Sequence, residues 1–314
     1  MFKQDSRSFD MKLIVGTTIS TIKMIQKTIL RKVADDQEKA FRLIYLPDIE
    51  KWLTLVDLDS ENEATSNFEQ KLKIYKPLVF GEESLRKEVD LSKQKNLVIL
   101  MDMVDGTDLL ERGLSNWCSA IVFYYPPEQK IIASFVAIAD LNLVYFTGHS
   151  SDKVYKHNLK EKFDIDNLDK LVLESGVSKT ESLDSASIAF YGQKIKNFLS
   201  ILKRERFVPY LEKIQAEKGD PKTRIYNLAG NPMMMKLLNN HSKIDAVFDV
   251  HGQWPHDVVP GAYIAQKAGA IFTDLNGEPI NWGSVLKKPA SDKITYILAS
   301  TDKLSKELQH IFAK

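Results

Sequence analysis

The sequence lacks most features that mark a secreted, membrane-spanning or disulfide-stabilised protein. Cys118 is the only cysteine among 314 residues, so no disulfide can form within the chain and nothing favours an oxidising compartment. The N-terminal segment has no continuous apolar stretch of the kind found in signal peptides. Apolar runs, such as residues 97–101, are far shorter than the roughly 20 residues of a membrane-spanning helix. These absences predict a cytoplasmic protein without a membrane partner.

The chain also has almost no excess of charge of either sign. Its 43 basic and 42 acidic side chains leave a formal net charge of +1. Domains that bind nucleic acid through bulk charge usually show a strong basic excess, so no nucleic-acid partner is expected. Apolar residues make up 44% of the chain and charged residues 27%, as in ordinary globular proteins. The length predicts one large domain or two packed domains.

The first half of the chain predicts helices followed by an antiparallel sheet. Isoleucines at helical spacing predict an amphipathic helix over residues 17–32, and weaker patterns predict helices over 37–45 and 60–72. Runs of β-forming residues between turn signals predict five strands, of which the last three form a meander. These strands are residues 78–80, 97–101, 119–125, 130–138 and 143–146.

Strands and helices alternate in the second half, which favours an α/β arrangement. The polar stretch 148–169 predicts a domain boundary, giving an N-terminal α+β subdomain, 1–160, and a C-terminal α/β subdomain, 161–314. Strands are predicted at 187–190, 244–250 and 296–298, and helices at 194–206, 232–239, 258–267 and 303–312.

Two acidic motifs stand at the ends of predicted buried strands. Gly81-Glu82-Glu83-Ser84 follows the strand 78–80, and the segment from Asp102 to Asp108 follows the strand 97–101. Converging carboxylates repel one another, and hard divalent cations relieve that repulsion best. Oxygen ligands without a nearby cysteine favour Mg²⁺ over zinc.

A phosphate site is predicted beside these carboxylates. Gly106 and Thr107 begin a short helical run, whose free N–H groups and positive dipole end suit a phosphate. Taken singly, each motif is typical of a solvated acidic pair or of a turn with a helix cap. Their occurrence at two consecutive strand ends favours a phosphate-handling metal site.

The motifs resemble those of the inositol monophosphatase superfamily, which also contains fructose bisphosphatases and adenosine bisphosphate 3′-phosphatases. Gly-Glu-Glu-Ser followed by Asp-x-Val-Asp-Gly-Thr is similar to the first signature of that superfamily. The segments 254–261 and 268–277 are similar to its second signature and to the strand that follows it. The resemblance spans most of the chain and implies a layered α-β-α-β-α sandwich with a metal site between two subdomains.

The resemblance also implies a role for particular residues. Glu82 would bind metal and help to activate water, Thr107 would orient that water, and Asp59, or the nearby Asp57, would accept a hydrogen bond from Thr107. The implied metal ligands are Glu82, Asp102, the carbonyl of Val104, Asp105 and Asp257. The implied substrate-binding residues are Gly106, Thr107, Gly230 and Asn231; Asp108, beside Thr107, is a further candidate for contacting substrate hydroxyls or a cation.

Three departures from the superfamily pattern stand out. Met103 occupies a position where proline is usual, and Pro255-His256 separates Trp254 from Asp257. Val250 stands where the inositol enzymes place a glutamate that contacts sugar hydroxyls, with Asp249 adjacent, which weakens the case for an inositol phosphate substrate. His251 and His256 are interpreted as structural, because their spacing is not that of a zinc motif.

The implied function is a Mg²⁺-dependent phosphomonoesterase of small phosphorylated metabolites, a hydrolase that works by direct attack of metal-activated water. Two to three Mg²⁺ ions are implied, with Mn²⁺ as an alternative, together with a homodimer and inhibition by lithium. Fructose-1,6-bisphosphatase and adenosine 3′,5′-bisphosphate 3′-phosphatase remain alternatives. A relative that binds phosphorylated ligands without catalysis is the alternative outside enzymes.

Overall fold

Two mixed β-sheets, one from each half of the chain, carry the fold. The computed structural model describes residues 9–46, 51–174, 176–219, 222–238 and 244–313. The helices of this part of the chain are α1 (Met11–Asp35), α2 (Gln37–Ala40), α3 (Leu55–Lys71), α4 (Thr107–Glu111), α5 (Ile195–Leu202), α6 (Phe207–Lys218), α7 (Asn231–Met235), α8 (Pro255–Lys267), α9 (Trp282–Val285) and α10 (Asp302–Phe312). Its strands are β1 (Leu43–Leu46), β2 (Lys51–Thr54), β3 (Leu78–Gly81), β4 (Val98–Asp105), β5 (Cys118–Tyr125), β6 (Lys130–Ile138), β7 (Leu143–Gly148), β8 (Tyr155–Asn158), β9 (Ser187–Phe190), β10 (Arg224–Tyr226), β11 (Ala246–Gln253), β12 (Ile271–Thr273) and β13 (Ile294–Ala299).

The first sheet has six strands in chain order, β3-β4-β5-β6-β7-β8. Its first pair, β3 and β4, is parallel, and the others are antiparallel, which confirms the predicted meander. The second sheet has the order β10-β9-β11-β13-β12, with β9 parallel to both neighbours and β13 antiparallel to both of its own. Strands β1 and β2 form a separate hairpin.

Helices form three layers around the two sheets. One outer layer is α1 and α3, whose apolar faces pack on the first sheet in a core that includes Ile22 and Phe68. The middle layer is α7 and α8, which pack on both sheets. Helix α10, with Leu304 and Leu308, packs in the core on the other side of the second sheet. Because α8 is covered on both sides, nearly all its residues between Pro255 and Ala265 are buried. The predicted layered α/β fold is confirmed.

Several predicted elements differ from the structure. The helix predicted over 37–45 ends at Ala40, because the β-forming residues of β1 pair with β2 instead. The helix predicted over 194–206 ends at Leu202, and α6 was not predicted; Pro209 lies in the first turn of α6, where its missing N–H is tolerated. Residues 231–238 form α7 and a 3₁₀ turn, and Asn239 lies outside the described residues.

The polar stretch 148–169 contains β8, which extends the first sheet. The division at residue 160 into two subdomains stays a prediction. Among the helices that the structure describes, none combines the length and hydropathy that a membrane crossing requires.

Candidate metal and active site

A break in the register of β4 brings two of the predicted ligands together. In a regular strand, residues three apart point to opposite faces of the sheet. Asp102 pairs with Ala120 and Asp105 with Cys118, so three steps along β4 match two along β5. The extra residue is a β-bulge, which re-aims the side chains that follow it. The carboxylates of Asp102 and Asp105 consequently share one cluster.

Five predicted or neighbouring side chains form two overlapping ligand groups. Asp102, Asp105 and Asp257 present carboxylate oxygens within 4.8 Å of one another, and so do the ligand atoms of Glu82, His256 and Asp257. Asp257 belongs to both groups. The structure therefore brings together all four acidic side chains that the sequence predicted as ligands.

Asp257 reaches the cluster from the first turn of α8. Its Oδ2 accepts a hydrogen bond from the backbone N–H of Trp254 at 3.2 Å, which fixes the carboxylate at the start of the helix. His256 is only 5% exposed, and its Nε2 lies 3.5 Å from Asp257 Oδ1 and 3.9 Å from Glu82 Oε2. The sequence analysis predicted only a structural role for this histidine; its position directly before Asp257 was the signal that it borders the site.

The cluster is electrostatically costly without a cation. Burial, together with the charges of Glu82 and Asp105, raises the pKa of Asp102 well above its usual range. Burial and the charge of Asp257 raise the pKa of Asp105 to about 7, although Asn231 opposes this shift. Each carboxylate therefore gains from a nearby positive charge, which a divalent ion provides.

Thr107 connects the carboxylate cluster to α3. Its Oγ1 lies 2.7 Å from Asp57 Oδ1 and 2.9 Å from the carbonyl oxygen of Val104. Asp57 also accepts a hydrogen bond from Thr54 Oγ1 at 2.6 Å. Thr54 caps the N-terminus of α3, so the same threonine begins the helix and orients the carboxylate.

The prediction that Asp59 accepts the hydrogen bond of Thr107 is wrong. Asp59 instead pairs with Lys32 of α1 at 2.5 Å. Two residues along a helix turn the side chain by about 200°, so Asp57 and Asp59 cannot face the same neighbour. Asp57, the alternative considered with it, accepts the hydrogen bond from Thr107.

Asn231 connects the two halves of the chain at the site but does not face the cleft. It is fully buried; its Nδ2 donates to Asp105 Oδ2 and to the carbonyl of His256, each at 3.0 Å, and its Oδ1 accepts from Gly261 N at 2.7 Å. Asn231 thus uses its polar atoms to orient other groups of the site, and its role in binding substrate stays a prediction. Gly230, also buried, lies beside Asp105 with φ +83°.

An open cleft of about 530 Å³ lies over the cluster. The predicted residues that line it are Glu82, Asp102, Val104, Asp105, Gly106, Thr107, Asp108 and Asp257. Gly106 has φ +102°, and a Cβ there would lie 3.2 Å from Trp117 Cβ, so the turn into α4 requires glycine. The second half of the chain contributes lining residues that the sequence did not indicate, including Tyr191, Lys194 and Lys293.

Comparison with known proteins identifies the fold. No family model matches the sequence, and no curated protein matches it either. Solved structures match over almost the whole chain. An IMPase from Thermotoga maritima is 14% identical, with a TM-score of 0.67 over 95% of this chain and 96% of that one. The chain has the inositol monophosphatase fold.

Two other solved structures agree with that identification. Inositol monophosphatase II from Staphylococcus aureus is 17% identical, with a TM-score of 0.64 over 95% of this chain and 92% of its own. An IMPase/NADP phosphatase, solved with NADP and Ca²⁺, is 14% identical, with a TM-score of 0.68 over 98% of this chain and 97% of its own. The resemblance seen in the motifs is thereby confirmed for the fold.

Val250, one of the three departures from the superfamily pattern, does not line the cleft. Val250 is 6% exposed and packs in the core between the second sheet and α10. The adjacent Asp249 is 1% exposed, and its Oδ1 accepts from the N–H groups of His251 and Gly252. Neither residue lines the cleft, so neither replaces the glutamate of the inositol enzymes.

A buried glutamate that the sequence did not indicate supports the Gly-Glu-Glu loop. Glu61 of α3 is 7% exposed, and its Oε2 accepts a hydrogen bond from Glu83 N at 2.8 Å. Its side chain occupies the space beside Gly81, where an added Cβ would lie 2.0 Å from Glu61 Cδ. Glycine at this position therefore lets the carboxylate of Glu61 reach the loop that carries Glu82.

We expect Gly81→Ala to reduce the free energy of unfolding by about 1–3 kcal/mol, because the methyl group must displace a buried, hydrogen-bonded side chain. Urea denaturation measures this change. Gly16→Ala in α1 is the matched control: nothing lies within 4 Å of its added Cβ. Alanine in a helix interior should stabilise by roughly 0.5–1 kcal/mol. Equal stability of Gly81→Ala and the parent protein would contradict the role of Glu61.

Proposed function

We propose that this protein is a Mg²⁺-dependent phosphomonoesterase that hydrolyses small phosphorylated metabolites. The observation that carries the proposal is the convergence of buried carboxylates, with raised pKa values, on the floor of an open cleft. The inositol monophosphatase fold agrees with this activity. The cytoplasmic location, the homodimer and lithium inhibition stay predictions.

The donor set fits Mg²⁺. Glu82, Asp102, Asp105 and Asp257 supply oxygen atoms, and the Val104 carbonyl lies in the same cleft. His256 offers an imidazole nitrogen, a ligand type that Mn²⁺ accepts more readily than Mg²⁺ does. When bound, the ions supply positive charge for the phosphoryl oxygens and lower the pKa of water.

The residues of the chain provide orientation and proton transfer. The hydroxyl of Thr107 donates to Asp57, so its lone pairs are left to accept a hydrogen bond from the attacking water. Glu82 lines the cleft and would accept a proton from that water. Backbone N–H groups at Gly106 and Thr107, where α4 begins, would bind the phosphoryl oxygens.

Phosphate release from inositol, fructose, nucleotide and histidinol phosphates, measured with Mg²⁺ and with a chelator, tests the proposal. Turnover that disappears with chelator and returns with Mg²⁺ is expected. If the folded protein binds Mg²⁺ but releases no phosphate from any of these compounds, the proposal is refuted in favour of a binding protein.

The geometry of Thr107 gives a sharper prediction. We expect Asp57→Asn to reduce kcat by roughly 10²-fold, the usual contribution of an oriented proton-transfer group, because the amide can donate to Thr107 and so misorient its hydroxyl. Asp59→Asn is the matched control, since Asp59 contacts Lys32 and not Thr107. Steady-state kinetics compares the two. A larger loss in Asp59→Asn than in Asp57→Asn would reverse the assignment.

A further inference from the structure

The cleft is lined by groups of both charges. Five carboxylates line it, those of the ligand cluster and Asp108. The cations among the described lining residues are Lys194 and Lys293, both from the second half of the chain. We refer to these two side chains as the lysine pair. The carboxylate cluster and the N-terminus of α4 would bind one phosphoryl group. The lysine pair takes no part in that interaction.

The two lysines lie next to strands on either side of β11. Lys194 lies four residues after β9, at the start of α5, and Lys293 immediately precedes β13. Strands β9 and β13 are the two neighbours of β11 in the sheet, and β11 itself leads to Trp254 and α8. The two lysines thus line the cleft from the second half of the chain.

Neither lysine forms a salt bridge within the described structure. The charge of Lys293 does act on Asp249, since it opposes the rise that burial causes in the pKa of that carboxyl group. Lys293 Nζ instead lies 4.8 Å from the ring centroid of Trp254, a cation–π contact that holds the ammonium group at the cleft wall. Both side chains are otherwise exposed and able to bind an anion.

The start of α5 adds to the positive potential. Lys194 is the N-cap residue of this eight-residue helix, and no side chain caps its N-terminus. Uncapped N–H groups at a helix N-terminus, together with the helix dipole, favour a bound anion. The ammonium group of Lys194 and the N-terminus of α5 therefore both add positive potential at one edge of the cleft.

We propose that the lysine pair binds a second phosphoryl group, and that the preferred substrates are bisphosphorylated small molecules. This inference rests on the proposed phosphatase function. A monophosphorylated polyol would leave both ammonium groups unused, and the structure provides no carboxylate at Val250 to bind its hydroxyls. The ammonium group of lysine is a compact positive charge with three hydrogen-bond donors, and it therefore suits a phosphate.

Matched substrate pairs test the inference. We would measure kcat/KM with Mg²⁺ for fructose 1,6-bisphosphate against fructose 1-phosphate, and for adenosine 3′,5′-bisphosphate against adenosine 3′-phosphate. The bisphosphate of at least one pair should be preferred by roughly tenfold or more, mainly through a lower KM, as expected for added charge-assisted hydrogen bonds.

Lys194→Gln and Lys293→Gln should each reduce that preference several-fold, and the double variant should bring it close to one. Lys288→Gln is the control, because Lys288 is also exposed but does not line the cleft. Equal kcat/KM values within both pairs would overturn the inference while leaving the phosphatase function intact. If Lys293→Gln loses kcat/KM equally for the bisphosphate and the monophosphate of a pair, the inference would also be overturned.

Failure of the proposed function would be recognised separately. If no compound releases phosphate, titration calorimetry with adenosine 3′,5′-bisphosphate in the presence of Mg²⁺ still tests the lysine pair. Binding that weakens several-fold in Lys293→Gln, and is unchanged in Lys288→Gln, would support the anion site in a non-catalytic protein. Absence of binding to the parent protein would overturn it.

Discussion

Asp102→Asn should abolish Mg²⁺-dependent phosphate release and, at the same time, make the metal-free protein more stable. The loss of kcat/KM should be on the order of 10³-fold or more, equivalent to about 4 kcal/mol of transition-state stabilisation. The stability should increase because Asp102, 8% exposed, lies beside other carboxylates and has a raised pKa. Asparagine removes that charge, and its Oδ1 can still accept the hydrogen bond from Val104 N that Asp102 accepts at 2.9 Å.

The combination of the two effects separates a functional carboxylate from a structural one. A residue needed only for folding would lose activity and stability together, whereas a metal ligand loses activity and gains stability in the metal-free state. Phosphate release and thermal unfolding at pH 8 with chelator measure the two quantities. Asp140→Asn, at an exposed turn after β6, is the control and should change neither. Full activity in Asp102→Asn would refute the assignment.

Much of the site could be predicted because its ligands follow strand ends. Glu82 directly follows β3, and Asp102 and Asp105 lie in the last half of β4, where the ladder of the sheet holds them in place. The bulge in β4 could not be predicted, since it depends on the pairing with β5. Without the bulge, strand periodicity alone would have placed Asp102 and Asp105 on opposite faces.

The start of helix α3 determines whether Asp57 or Asp59 faces Thr107. Both residues lie in the predicted region ahead of Glu82, and residue spacing alone favoured Asp59. The N-terminus of α3 at Leu55, capped by Thr54, fixes the phase of the helix and turns Asp57 toward Thr107. Thr54 three residues before an acidic residue is the capping pattern that could have identified it.

Other contributors could not be found from the sequence, because long-range packing selects them. Asn231 is 126 residues from Asp105, and its amide orients that carboxylate only once α7 packs beside α8. Glu61, about one helical turn after Asp57 in α3, reaches Glu83. Lys194 and Lys293 lie in polar segments, where a lysine is ordinarily solvated, and only the order of the second sheet brings them to the same cleft.

The metal-free protein should lose stability as the pH rises from 6 to 8, and Mg²⁺ should restore it. The pKa of Asp105 is raised to about 7 in the folded state, against about 3.9 in an unfolded chain. A raised carboxyl pKa stabilises the fold fully at pH values below the unfolded pKa, and this contribution is lost as the pH rises through 7. We expect a decrease in Tm of roughly 2 °C between pH 6 and pH 8 from an effect of about 1.3 kcal/mol.

Mg²⁺ must compete with the proton on Asp105 at pH 6 but not at pH 8, so the increase in Tm on adding Mg²⁺ should be larger at pH 8. Thermal unfolding in chelator and in Mg²⁺ at both pH values measures this. His149, which is exposed, and His157, which is buried, have lowered pKa values and change stability with pH in the opposite sense. Comparison with Asp105→Asn removes their contribution, because the variant retains both histidines. If Asp105→Asn shows the same pH dependence as the parent protein, the carboxylate cluster is not the source of the effect, and its role as a cation site loses its electrostatic basis.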